Sequence, residues 1–496
     1  MGNLYLNKTY SYDVTFNETS FGHLILSPNV IVITQNIQRD LITFANQEGM
    51  NILQCTIQPN KIPVTLFNLK RVCENSIIHT LSLNISSNIV YSCDFAIIGK
   101  HYNNISEVKI QGVNISQNSV KQWLGINYID MNISANNITT IAIPSVPQTI
   151  YEQILEIFSF SINFIPTIGV NSFSDERYEI SYEINFRFNS VINLQNSLQH
   201  VYKWQILHAL FTGQINNFDA ISFSIPLNEP ITDQDKENAK QNMMEMFEDA
   251  EDDLVDQFIE IQSQQLPMVS FYIPQPKDYA EQLHFAKVPI LYTGIEKEFN
   301  KILDKWFNLD ENMSQTIVYF IEALDKNKGI IQRFLSATKL IESFADKYSQ
   351  TYFPEEKINE IKNFIKAKLK EKYQEYENKA IKDFANALKQ TNKCKLNLEG
   401  KIIKLVADND INYLNLNNDL VKNVSEYRNT LSHSVNSTRM EDIDFNILYE
   451  GYLKLLTFGF ILLWNYLEIP QPLIDCGVKI LKQYQELEIN NRLTIE

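Results

Sequence analysis

Tyr178-Glu-Ile-Ser-Tyr-Glu-Ile-Asn-Phe-Arg-Phe188 alternates apolar and polar side chains almost without a break. Successive side chains of an extended chain point to opposite faces, so this stretch predicts a strand with one wet and one buried face. Similar texture extends on its N-terminal side. His23-Leu-Ile-Leu26, Val30-Ile-Val-Ile-Thr34, Ile62-Pro-Val-Thr-Leu-Phe67, Ile77-Ile-His-Thr-Leu-Ser-Leu83 and Ile138-Thr-Thr-Ile-Ala-Ile143 are β-branched runs set between Asn/Ser turns. Many short strands at such spacing predict an antiparallel, sandwich- or barrel-like domain over residues 1–232.

Helical texture interrupts the strands once, where Leu198, Val201, Ile206, Leu207 and Leu210 precede the stop signal Phe211-Thr-Gly213. Phe218-Asp-Ala-Ile-Ser-Phe-Ser-Ile225 predicts one more strand. Residues 233–265 are acidic, Met-rich and helical in pattern, and 267–287 form a Pro-punctuated connector. Together 233–294 read as an insertion and a linker. From 295 the period is helical. Phe299, Ile302, Leu303, Trp306 and Phe307 share one face, and further helices are predicted over 317–324, 330–347, 358–389, 420–434 and 445–464. The fold class is therefore α+β multidomain, a β-rich half followed by an all-α bundle over 295–496.

The chain has 496 residues, 44% hydrophobic and 21% charged, the balance of a folded protein. Its net charge of -16 argues against a nonspecific nucleic-acid coat, which needs Lys and Arg to neutralise phosphates, but leaves room for a local cationic site. The five cysteines (55, 73, 93, 394 and 476) are odd in number and form no C-x-x-C pair, so a reducing cytoplasm is expected. Cys73, His79, Cys93 and His101 match no tight metal-ligand spacing. Glycine is scarce, and no Walker loop, H-E-x-x-H or G-x-S-x-G is present. No metal and no cofactor is expected. The apolar run 453–467 contains Lys454 and Asn465 and is too short to span a bilayer, so it predicts a buried helix and no membrane.

Near the C-terminus stands Arg428-Asn429-Thr430-Leu431-Ser432-His433. Arg stays charged and can hold a phosphate, and an imidazole titrates near working pH and can move protons. These suffice to cleave RNA, which carries its own nucleophile in the 2′-OH. Residues five apart lie about 140° apart around a straight helix, whereas Asn429 and His433 share a face. Either the helix ends near Ser432, or a two-fold dimer brings two copies of each residue into one cleft. The plainer alternatives are a structural histidine and a surface ion pair of Arg428 with Glu426 or Asp442.

The segment Arg333-Phe-Leu-Ser-Ala-Thr-Lys-Leu-Ile-Glu-Ser-Phe344 and the R-N-x-x-x-H string at 428–433 resemble the Apea-like branch of the HEPN family. The β-rich half resembles the ApeA N-terminal domain, most clearly over 198–213. The resemblance implies a dimerising helical bundle with a metal-independent RNase site and a role in bacterial anti-phage defence by abortive infection. Arg428 and His433 would be catalytic, with Asn429 in support and Glu342 fixing the imidazole tautomer. Lys366, Lys368 and Lys370, on the Lys/Glu-rich helix, are the candidates for RNA-backbone contact. The expected partners are RNA, tRNA first, a second copy or higher oligomer, and a phage-derived protein trigger that releases restraint by the β-rich domain. The rival expectations are a non-catalytic dimerisation module and a small-ligand binder using the β-rich half.

Overall fold

The computed structural model describes residues 4–17, 20–40, 52–79, 84–125, 130–133, 139–142, 148–171, 175–226, 267–275, 285–345, 349–351, 355–372, 379, 381, 383, 387, 393–409, 414, 416–433 and 443–493. Two units divide the chain, Met1–Phe307 and Asn308–Glu496. The acidic segment 233–265 lies outside the described residues.

In the first unit the strands are β1 (Tyr10–Asn17), β2 (Ser20–Leu26), β3 (Ile31–Asp40), β4 (Ile52–Ile57), β5 (Ile62–Phe67), β6 (Lys70–His79), β7 (Asn84–Cys93), β8 (Phe95–Ile98) and β9 (Lys109–Ser116). They continue as β10 (Asp130–Ile133), β11 (Thr139–Ala142), β12 (Gln148–Ile154), β13 (Phe158–Asn171), β14 (Asp175–Asn193), β15 (Ala220–Ser224) and β16 (Met268–Tyr272). All but β10 and β11 join one 14-stranded sheet, ordered β12-β13-β14-β9-β15-β16-β8-β5-β4-β1-β2-β3-β7-β6, and every described pairing is antiparallel. The alternating stretch 178–188 lies within β14, which pairs along its length with β13. Segment 267–287 is more than a connector, because Met268–Tyr272 is a strand inside the sheet, between β15 and β8.

Among the described residues, four helices belong to this unit: α1 (Ser119–Leu124), α2 (Leu194–Thr212), α3 (Tyr292–Ile295) and α4 (Phe299–Phe307). Asn193 caps α2 by accepting from the Asn196 N–H at 2.8 Å, and Gly213 ends it at φ 78°, a left-handed conformation that costs glycine little. The core under α2 is aromatic. The Trp123 ring contacts those of Trp204, Phe211, Tyr292 and Phe299, with centroids 5.4–5.7 Å apart. Two of its polar groups are paired: Trp204 Nε1 donates to Gln117 Oε1 at 3.1 Å, and Gln117 Nε2 donates to the Asn216 carbonyl at 3.1 Å, whereas Trp123 Nε1 and His208 Nε2 are buried with no partner among the described residues. His208 stacks on Trp204, and burial holds its pKa down at about 3. The amphipathic helix read at the head of the bundle, 299–307, has its Trp306 Nε1 donating to the Lys203 carbonyl of α2 and falls in this first unit.

The second unit holds α5 (Glu311–Leu324), α6 (Ile330–Ala345), α7 (Glu355–Lys372), α8 (Leu398–Asp408), α9 (Asn418–His433), α10 (Phe445–Tyr466) and α11 (Gln471–Leu493), with a small ladder of β17 (Ser349–Thr351) and β18 (Lys393–Lys395). Helix α6 is central and packs against α5, α8, α9 and α10. The apolar run judged too short to span a bilayer is part of a longer helix: α10 has 22 residues and is long and apolar enough to cross a membrane, but 83% of its apolar window is buried, as in the core helix of a bundle. Two glycines let it approach its neighbours. A Cβ on Gly459 would lie 2.3 Å from Leu340 Cδ2 of α6, and one on Gly451 would lie 2.9 Å from Val424 Cγ2 of α9.

Candidate active site

Helix α9 begins at a polar cap: Asn417 Oδ1 accepts from the Leu420 N–H at 2.8 Å. Leu420, Val421 and Val424 then form its buried stripe, and Arg428 follows Val424 by four residues on the same side. The stripe turns half-buried there. This spacing delivers an always-charged group to the edge of the packed core, facing α6.

Glu342 of α6 receives it. Arg428 Nη2 donates to Glu342 Oε1 at 3.0 Å and to Oε2 at 3.1 Å, and Arg428 Nη1 donates to Asn429 Oδ1 at 3.2 Å. The two side chains keep 27% and 21% of their surface, so the pair is partly dried yet still reachable from water. A guanidinium carries five N–H donors. Three are used here, leaving Nε–H and the second Nη1–H without a partner among the described residues. The group is oriented but not saturated, an arrangement able to accept an anion at its free edge.

The structure thus brings together Arg428, Asn429 and Glu342. Glu426, considered from sequence as a partner of Arg428, instead faces Lys422 at 4.0 Å, and Asp442 lies outside the described residues. Helix α9 runs to His433, one residue past Ser432. The His433 side chain is outside the described residues. Among the described residues, no hydrogen bond or ion pair joins Lys366, Lys368 or Lys370 to Arg428, Asn429 or Glu342. The three lysines lie on α7, where Lys368 pairs with Glu371 at 2.7 Å.

A second cation escaped sequence reading. Arg333 of α6 is 7% exposed, its Nε donates to the Ala323 carbonyl at 3.2 Å, and its Nη2 donates to the Tyr452 hydroxyl. The guanidinium lies 4.6 Å from the Tyr452 ring centroid, and Tyr452 Oη donates to the same carbonyl at 2.9 Å. Ala323 sits in the last turn of α5, the negative end of the helix dipole, which suits a buried cation. Arg333 ties α5, α6 and α10 together and thereby fixes the helix that carries Glu342. Its place at the start of the apolar α6 segment was the only trace in the sequence. Among the described residues, no three or more of His, Cys, Asp and Glu gather as metal ligands.

A large antiparallel sheet module followed by a helical module with an oriented guanidinium defines a two-part α+β protein. Residues 9–306, more than half of the chain, match the family described as ApeA N-terminal domain 1. The chain belongs to that family, whose domain is associated with the ApeA proteins of anti-phage defence. No curated protein and no solved structure matches it.

Proposed function

We propose that this protein is a metal-independent endoribonuclease of the HEPN type acting in anti-phage defence, with Arg428 and His433 as its catalytic pair. The carrying observation is the oriented, unsaturated guanidinium of Arg428 at the edge of the bundle. A base removes the ribose 2′-OH proton, and that oxygen attacks phosphorus. Charge then builds on the phosphoryl oxygens, where Arg428 donates, and the 5′-oxygen leaves with a proton. His433 supplies the proton transfers. Positions 428 and 433 are both helical and lie about 140° apart around an ideal axis. A two-fold pair of α9 helices, each giving one residue type to a shared cleft, resolves that separation, so we propose a homodimer. The ends produced are a 2′,3′-cyclic phosphate and a 5′-hydroxyl. RNA, tRNA first, is the proposed substrate, and the β-sheet unit restrains the nuclease in the cytoplasm until a phage-derived protein releases it.

The test is cleavage of total RNA by the purified, triggered protein in EDTA. Arg428→Ala and His433→Ala should each abolish it, and cleavage that survives both changes would sink the proposal. One observation favours a second reading, a non-catalytic bundle: the Arg428–Glu342 pair is also what a structural tie between α6 and α9 looks like. If the tie is all there is, Arg428→Ala lowers the melting temperature and no RNA is cut by the wild type.

A further inference from the structure

The sheet of the first unit has two unlike faces. One is the aromatic core, into which Val113, Ile184, Phe223 and Phe271 point. On the other face, hydrogen-bonded register lines up Glu152, Ser161, Asn185, Asn114, Ser222 and Ser270 across six consecutive strands, β12 to β16 in sheet order. Such a row has no value for packing. It borders a depression of about 620 Å³ lined by Glu183, Asn114, Ser222 and Ser270 together with Ile62, Ile98 and Met268. A second depression of about 510 Å³ shares Asn114 and Met268 with the first and adds Asn185 and Arg187.

The polar groups here are waiting for partners. The Glu183 carboxylate makes no hydrogen bond or ion pair with any described residue, and burial raises its pKa. The Oδ1 atom of Asn185 is fully buried and likewise unpartnered. Neither condition is cheap, because a polar atom removed from water without a hydrogen bond costs free energy, and a carboxylate costs more. At the wall of a depression, such a group is completed by water or by a ligand that displaces it.

The chemistry of the walls selects the ligand. Among the described residues the first depression offers a carboxylate, amide and hydroxyl oxygens and no cationic side chain, together with aliphatic carbon and a thioether. That combination disfavours phosphate and fits a cation on a hydrocarbon stem. The chain's charge of -16 adds long-range attraction of the same sign. We propose that this depression binds an alkyl guanidinium or ammonium group, its N–H donors on Glu183 and Asn114 and its methylenes on Ile98 and Met268. Arg187, in the adjoining depression, is placed to take a carbonyl of a peptide ligand, whereas agmatine carries none and reads the first depression alone. The site stands on the sheet alone and does not depend on the nuclease reading.

Titration calorimetry on the full chain tests it with four probes: agmatine, the blocked peptide acetyl-Ala-Arg-Ala-amide, acetyl-Ala-Ala-Ala-amide and inorganic phosphate. At least one guanidinium probe should bind at a single saturable site, while trialanine and phosphate do not. Tighter agmatine identifies a free small molecule as the source, and a tighter peptide identifies a side chain of a protein. Glu183→Gln keeps the shape and should weaken binding about tenfold or more, the scale of one charge-assisted hydrogen bond. Ser222→Leu fills the depression without altering charge and should abolish binding, which keeps the test decisive if the Glu183 variant does not fold. Failure of both guanidinium probes to bind at millimolar concentration overturns the proposal. So does a folded Glu183→Gln protein that binds as tightly as the wild type.

Discussion

A carboxylate that grips one nitrogen of a guanidinium fixes the plane of the whole group, and this is what Glu342 does to Arg428. In the proposed reaction that makes Glu342 a positioning residue. Glu342→Gln preserves size and one acceptor but removes the charge. We expect cleavage by this variant to fall about tenfold in kcat with KM nearly unchanged, because substrate binding is spared while the phosphate-facing edge of Arg428 loosens. We expect thermal unfolding to register a loss of about 1 kcal/mol, between the values typical of exposed and of buried ion pairs. An unaltered kcat alongside lowered stability would assign the pair to structure alone.

Among the elements, α10 shows how closely the bundle is fitted. Alanine normally stabilises a helix interior over glycine, by up to about 1 kcal/mol. At Gly459 the added methyl would press on the fully buried Leu340, and overpacking costs about 1–3 kcal/mol. We expect Gly459→Ala to destabilise the second unit by about 1–2 kcal/mol on balance, measured by denaturant unfolding. Gly329→Ala is the control, since a Cβ there meets nothing within 4 Å. What could be read from sequence follows the same physics. Strand β14 was plain because alternation is a local signal, and α2 because a periodic face ends in a glycine. Strand β16 was masked by its brevity and by Pro267 and Pro274 on either side, though its pairing with β15 and β8 makes it central. Arg428, Asn429 and Glu342 were each legible as residue types. That Glu342 meets the guanidinium is a contact across 86 positions of sequence, set by how α6 and α9 pack, and no local pattern encodes it. The polar row on the sheet was equally invisible, since single Asn and Ser residues gain meaning only once their register is known.

Over the whole molecule, acid should weaken the sheet unit first. Burial, with Lys203 nearby, depresses the His200 pKa to about 4, and burial depresses that of His208 to about 3, both from 6.5. An unfolded chain takes up these protons as pH drops through 6.5, while the folded one refuses them until near 4 and 3, so stability present above 6.5 is lost on the way down. Asp219 acts the other way. Burial raises its pKa to about 6 from 3.8, so the folded form takes the proton first and gains stability as pH falls through that interval. Glu183, whose carboxyl pKa burial also raises, acts in the same direction as Asp219, and the two histidines, with their large shifts, outweigh both. We expect the melting temperature of this unit to fall between pH 6.5 and 4, the slope to flatten in His200→Leu and to steepen in Asp219→Asn. A slope unchanged in both variants would show that other groups set the acid limit.

The strands β15 and β16 lie side by side, with Ser224 opposite Met268 and the Ile225 N–H donating to the Pro267 carbonyl at 2.9 Å. The chain therefore leaves the ladder and rejoins it at the same rung. Ser224 and Met268 are thus neighbours on the ladder, and the pairing of β15 with β16 holds the two ends together. Because those rungs hold each other in register, an engineer could use this junction as a graft point to attach a reporter to the sheet.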